Sequence, residues 1–520
     1  MLRIVRLLAF LGLTGVTLYY WMRTGGHLLT SRDAANHISL AAVVWALTLL
    51  RKGRPADAEH LQGSARWATA RDLHGLLRRR AALRPGALLL GRFGRRSVVV
   101  PPELSPQHAL VVGPAGTGKT RTLFMPNAAL ATGSFVVTDP KGELWMHTSG
   151  YHDHAWRFAP REPEASRCCN WIPLCADTRT ADLLAAAAMQ SDRQGGGDPF
   201  WGLAEAQVCS ALFAHTATLP APTPATAYAL LGSGPRGLLA AFRDSKSLGA
   251  RQCAAMLGDL RGEMLASIVL GVSNRLAWLK EPAVQRFTSA NLEPPDFRVL
   301  AQEPTAVYWV LHEQDVALLQ PLSAIFFTLL LDQLGSTALE TPVLLLLDEF
   351  ANLGVLPRFP TTISVARGRG IALVLGVQAL SQLDGLYGRA GAETIRVNCA
   401  AKVILHGLDY AGAAEVSRSL GEQTVTYQPR TSDASRWSEQ HVRRSLLTAD
   451  EVRRIGTDEL VLLVSNRHPA RLRKQWWTAR PRTAATTGLG MARVWTPPDG
   501  DEETAPAPRR TPARRGHAED

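Results

Sequence analysis

Two clusters in this chain pair residue types and spacings that could do chemistry. The first is GPAGTGKT, Gly113 to Thr120, which fits the pattern G-x-x-x-x-G-K-[ST] at every fixed position. Gly113, Gly116 and Gly118 let the backbone turn until its N–H groups converge on an anion, and Pro114, Ala115 and Thr117 complete the loop. Lys119 is placed to reach the β and γ phosphates of a nucleoside triphosphate such as ATP, and the Thr120 hydroxyl to ligate its magnesium. The second cluster is Asp348-Glu349, behind the apolar run Val343 to Leu347. After a matched phosphate loop, the first acid of such a pair holds magnesium and the second polarises the attacking water. Gln378, closing the run IALVLGVQ, is placed to sense the γ-phosphate. Arg367 and Arg369 in VARGRG, just ahead of that run, are candidates for an arginine finger reaching a neighbouring subunit, with an exposed basic loop as the competing reading.

These residues need a scaffold that brings strand ends together. Ala109 to Val112 enters the loop as a strand and a helix follows it. SFVVTDPKGELW (Ser134 to Trp145), Pro342 to Leu347, Ile371 to Gln378, AKVILHG from Ala401 and ELVLLVS from Glu459 read as further strands. Short apolar runs with polar groups at their carboxyl ends are the mark of an open parallel α/β sheet. Asp139 and Glu143 stand at such an end; the pattern leaves open whether they face the nucleotide or make a turn. Ala87 to Pro101 reads as two short strands around Gly94, and GSARWATARDLHG (Gly63 to Gly75) as helix-like. Between about Pro163 and Glu293 the strand-like runs give way to Ala- and Leu-rich helical spacing, which predicts an all-α insertion at 163–293 within a nucleotide domain formed by 53–162 and 294–480.

The chain has 520 residues with a net charge of +12, which favours an acidic partner such as nucleic acid or anionic lipid. Its six cysteines include no C-x-x-C pair, which argues against a disulfide framework or a zinc knuckle. His152 and His154 ahead of Cys168 and Cys169 match no standard metal spacing. Residues 7–22 and 37–50 are apolar, and cations flank them at Arg3, Arg6, Arg51, Lys52 and Arg54. That distribution predicts a two-helix transmembrane anchor at 1–52, with both ends inside; a cleaved signal peptide is the competing reading of the first segment. Residues 481–520 read as a disordered polar tail.

DPKGEL after the phosphate loop, MPN at Met125 to Asn127, DPFW at Asp198 to Trp201, LLLLDEFANLG, VQALSQL, the early GSARWAT and the late LLTADEVRRIGTDELVLLVSNRHP together resemble the TraG/TraD-type coupling proteins of type IV secretion systems. The resemblance runs from about Gly63 to Trp477. It implies a RecA-like P-loop NTPase domain with an all-α domain that meets substrate, assembled as a homo-hexameric ring ATPase at the bacterial inner membrane. The implied cargo is single-stranded DNA bound to a relaxase, or effector proteins, and the implied partners are inner-membrane channel proteins and lipid. By matched position, Lys119 and Thr120 take the Walker A roles, Asp348 and Glu349 the Walker B roles, Gln378 the sensor role, and Arg367 before Arg369 the finger. The central loop residues differ from the Thr and Ser that members often carry, while every fixed residue is kept. Two further classes stay in view: a double-stranded DNA translocase of the segregation or packaging type, which usually carries a DNA-reading C-terminal domain, and a catalytically idle scaffold, which the intact Lys119, Asp348 and Glu349 argue against.

Overall fold

A computed structural model describes residues 22–23, 62–79, 83–189, 199–427 and 440–478. Apart from Met22, the expected membrane spans lie outside these residues, and so does the tail. The described strands are, in chain order, β1 Leu77–Arg78, β2 Leu88–Phe93, β3 Arg96–Val100, β4 Ala109–Val112, β5 Phe135–Asp139, β6 Ala155–Phe158, β7 Ala306–Val310, β8 Val343–Leu347, β9 Ile371–Val377, β10 Ala401–Ile404, β11 Glu422–Tyr427, β12 Gln440–Ser445, β13 Glu459–Val464 and β14 Ala470–Arg473.

Twelve of them form one sheet in the order β1-β3-β2-β14-β13-β10-β4-β9-β8-β5-β7-β6. The half from β10 to β6 is entirely parallel, and the other half is antiparallel. The parallel strands β4, β5, β7, β8 and β9 are buried at every position, as strands covered on both faces must be. Because they are parallel, their carboxyl ends share one edge, and Gly113, Asp139, Asp348 and Gln378 all follow from that edge.

Between β6 and β7 the described residues form helices alone, among them Thr178–Met189, Pro199–Thr216, Leu248–Gly258 and Gly262–Arg275. The helix Val316–Gly335, after β7, carries thirteen buried residues. By composition it is apolar enough to cross a membrane, but 72% of its apolar window is buried inside the fold. Trp309 of β7 meets Phe326 of that helix at 4.3 Å between ring centroids and donates its indole N–H to Ser323 Oγ at 3.1 Å. It is a core helix.

The described residues divide into two compact units, one built of 22–23, 62–66, 417–427 and 440–448, and one of the remainder from 67 on. In the first, β11 and β12 pair antiparallel, Ser64 bridges to Gln423, and the Ala65 N–H donates to the Glu422 carbonyl at 2.8 Å. The helix expected over Gly63 to Gly75 is not formed. In its second half Asp72 Oδ2 accepts from both the N–H and the hydroxyl of Thr69, each at 2.7 Å, as in a capping box, but only turns follow, with the Leu73 N–H on the Thr69 carbonyl at 3.3 Å and the His74 N–H on the Arg71 carbonyl at 3.1 Å. The Ala68 N–H is taken by the Pro469 carbonyl at 2.8 Å.

Candidate nucleotide site

The phosphate loop leaves β4 with Gly116 at φ 78° and Gly118 at φ 85°, backbone that residues with a Cβ rarely adopt. Gly113 is required for a different reason: a Cβ there would stand 2.8 Å from Leu405 Cβ. Past Lys119 the chain winds through a wide turn, Thr120–Phe124, before the regular helix Met125–Leu130. Pro126 has no N–H to give the Thr122 carbonyl four residues back, and Met125 instead donates to the Thr120 carbonyl, the five-residue spacing of a π turn.

Asn127 secures that helix. Its amide Oδ1 accepts from the Leu89 N–H at 2.7 Å, and Nδ2 donates to the Leu89 carbonyl at 2.8 Å and the Leu123 carbonyl at 2.7 Å, all buried. His108, just before β4, is equally enclosed. Its Nδ1 accepts from the Leu373 N–H at 3.1 Å, so Nε2 carries the proton given to the Ile363 carbonyl at 2.9 Å. Burial pushes its pKa down to about 4, so this ring stays neutral and joins β4 to β9.

The structure brings Lys119, Thr120, Asp348, Glu349 and Gln378 together. Lys119, 4% exposed, donates Nζ to the Gly113 carbonyl at 2.6 Å and lies 3.2 Å from Glu349 Oε1. The other carboxylate oxygen, Oε2, accepts from Gln378 Nε2 at 3.0 Å. Glu349 occupies left-handed backbone at φ 54°, uncommon for a residue with a side chain and enriched at functional sites. Thr120 donates its hydroxyl to Asp348 Oδ2. Asp348 Oδ1 is buried without a hydrogen-bond partner among the described residues, and burial, partly offset by the Thr120 bond, raises the Asp348 pKa to about 6. An orphaned carboxylate oxygen beside a hydroxyl is a donor set that suits magnesium, which takes one or two protein oxygens and fills its shell with water and phosphate. Gly376 on β9 leaves the room, since a Cβ there would lie 3.2 Å from Asp348 Oδ1 and 2.9 Å from the Phe124 ring.

Asp139 Oδ2 accepts the Trp145 N–H at 2.8 Å and Oδ1 the Lys141 N–H at 3.4 Å, so it shapes the turn after β5, and it lines a small cavity with Asp348 and Glu349, while Glu143 is exposed. Arg367 and Arg369 are exposed at the start of β9. Gln378 lies beyond the other end of that strand, a span of roughly 20 Å for its seven residues. A cavity of about 210 Å³ lined by Gln107, His108, Ser465 and Arg467 also lies at the amino ends of the strands, away from the phosphate loop.

A parallel sheet with a glycine-rich loop after one strand, an acidic pair after a second and a glutamine after the strand between them defines a RecA-like P-loop protein. The chain belongs to the family described as Type IV secretory system Conjugative DNA transfer, whose model matches residues 76–491. It is 26% identical over 463 residues to a conjugal transfer protein TraG of Escherichia coli, covering 76% of this chain and 71% of that one. It is 27% identical over 397 residues to the protein VirD4 of Agrobacterium fabrum, covering 71% of this chain and 58% of that protein, less than two thirds of its length. The solved structure of the bacterial conjugative coupling protein TrwB in an unbound form superposes with a TM-score of 0.66 over 82% of this chain and 96% of that one, at 17% identity. TrwB in complex with ADP and Mg2+ superposes with a TM-score of 0.59 over 82% of this chain and 97% of that one, at 18% identity. At these identities the likeness to TrwB is one of fold.

Proposed function

We propose that this chain is a membrane-anchored coupling ATPase, which uses ATP hydrolysis to deliver relaxase-bound single-stranded DNA, effector proteins or both into a type IV secretion channel. The observation that carries the reading is the convergence of Lys119, Thr120, Asp348, Glu349 and Gln378 on one sheet edge. Membership of the conjugative family and the TrwB complexes with an ATP analogue and with ADP and Mg2+ support it.

The loop N–H groups from Gly116 to Thr120 cradle the phosphates, and Lys119 exchanges its contact with Glu349 for the β and γ oxygens. Thr120 and Asp348 would hold magnesium, which would supply positive charge against that developing on the phosphates. Glu349, released from Lys119, accepts a proton from the attacking water, and Gln378 fixes the carboxylate through the oxygen not used for that transfer. Arg367, with Arg369 as second choice, acts on the site of a neighbouring subunit in a homo-hexamer at the bacterial inner membrane. We assign cargo contact to the helical segment at 163–293, and contact with inner-membrane channel proteins and lipid to the anchor at 1–52.

ATPase activity of the full chain, titrated with single-stranded DNA, double-stranded DNA and no DNA, tests this reading. Stimulation by single strands supports DNA cargo, and activity indifferent to DNA turns the assignment toward protein. Preference for duplex favours a double-stranded DNA translocase. An inactive chain that fails to bind ATP sinks the reading.

A further inference from the structure

The segment that follows β14, Lys474 to Trp477, straps the outside of the phosphate loop. Lys474 is 5% exposed, and its ammonium donates to the Thr117 carbonyl inside the loop at 2.7 Å. The Trp477 N–H donates to the Arg121 carbonyl at 3.0 Å, one residue past Thr120. Its indole packs into the core and meets Tyr151 edge-on at 5.7 Å. Between these two ties stands Trp476. A Cβ on Gly118 would lie 3.0 Å from its ring atom Cη2, so the indole rests directly on the last loop glycine. The ring is 40% exposed, while its Nε1–H donates to Asp458 Oδ1 at 3.0 Å. The same Asp458 accepts the Lys474 N–H through its carbonyl at 2.8 Å.

The indole is fixed at Nε1 by Asp458 and at Cη2 against Gly118, with the Lys474 ammonium 5.8 Å from its ring centre, and it keeps an open face. The loop itself points to an occupant for that face. Phosphates held by N–H groups of Gly116 to Thr120 leave the sugar and base to exit where the helix starts, beside Gly118 and Arg121, and that is where Trp476 sits. We propose that Trp476 is the stacking platform for the nucleotide base, and that the Lys474 and Asp458 contacts hold the platform at the loop. The inference rests on the reading of Gly113 to Thr120 as a nucleotide site. Stacking uses the π face that every base has, so its contribution is the same for adenine and guanine.

The test compares the full chain with Trp476→Ala and Trp476→Phe, measuring calorimetric affinity for MgADP, MgGDP and magnesium tripolyphosphate, which has no base. We expect Trp476→Ala to weaken both nucleotides about tenfold, to leave tripolyphosphate unchanged, and Trp476→Phe to recover most of the loss. Equal weakening of all three ligands would show that the indole only supports the loop. No weakening at all would remove it from the site, and either result overturns the proposal. Unaltered chain that binds neither ADP nor tripolyphosphate would instead overturn the nucleotide-site reading beneath it.

Discussion

At the scale of single residues the site is a competition for Glu349. One carboxylate oxygen faces Lys119 at 3.2 Å and the other accepts a hydrogen bond from Gln378 Nε2 at 3.0 Å, so the carboxylate is held by its two neighbours. Glu349→Gln keeps the shape and removes the proposed base. It is expected to lower kcat by about 10² to 10⁴ while ATP still binds, whereas Lys119→Ala is expected to abolish binding; single-turnover and equilibrium binding measurements separate the two, and a Gln variant that hydrolyses ATP at full rate would remove Glu349 from the chemistry. His108 supports a different prediction. Its folded pKa of about 4 lies below its ordinary value, about 6.5, so between those two pH values the unfolded chain binds more protons and stability rises with pH. The His108 contribution is therefore complete above about pH 6.5 and falls by about 3 kcal/mol as pH drops to 4. The gap in melting temperature between the parent chain and His108→Gln is expected to widen from pH 4 to 6.5 and then stay level; a gap independent of pH would contradict the buried, neutral ring.

Elements were legible in the sequence where local pattern and tertiary role coincide. The runs at Ala109, Ser134, Pro342 and Ile371 are apolar because both sheet faces are covered, and they became β4, β5, β8 and β9. The turn at Gly94 does join two strands, β2 and β3. What local pattern does not carry is a polar side chain spent on a distant partner. Nothing in MPN announces that Asn127 binds Leu89, thirty-eight residues earlier in the chain, and β14 is only four residues long with alternating exposure. The Gly63 to Gly75 stretch did not form a helix: its Ala65 and Ala68 N–H groups go to the Glu422 and Pro469 carbonyls, far along the chain. Asn127 can be tested at this scale. Asn127→Ala strands the buried N–H and C=O of Leu89, and an unsatisfied buried group costs about 1–3 kcal/mol. The helix after the phosphate loop then loses its tie to β2. Reduced thermal stability is expected together with weaker nucleotide affinity, read by calorimetry; lost stability with unchanged affinity would show that the helix is positioned by its other contacts.

For the whole molecule, the sheet separates two sets of residues that the proposed mechanism uses. Lys119, Asp348, Glu349 and Gln378 gather at the carboxyl ends of the strands, whereas Arg367 and Arg369 precede β9 at the opposite edge. Roughly 20 Å of strand lies between Gln378 and Arg367, too far for an arginine side chain to reach the phosphate loop of its own subunit. If Arg367 or Arg369 is the arginine of the proposed mechanism, it acts on a neighbouring subunit, and the interface of the proposed ring is the catalytic unit. Complementation decides this. Subunits carrying Lys119→Ala have no working phosphate loop but still offer Arg367, and subunits carrying Arg367→Ala keep the loop and lack the finger. Each variant alone is expected to lose ATPase activity by about 10³ or more. Mixed assemblies are expected to recover part of it, in proportion to the interfaces that join an intact loop to an intact arginine. Full activity of Arg367→Ala alone would pass the role to Arg369. Mixtures as inactive as their components would mean that Arg367 acts within its own subunit or on the fold, and that the distance along β9 is spanned by a rearrangement of the chain.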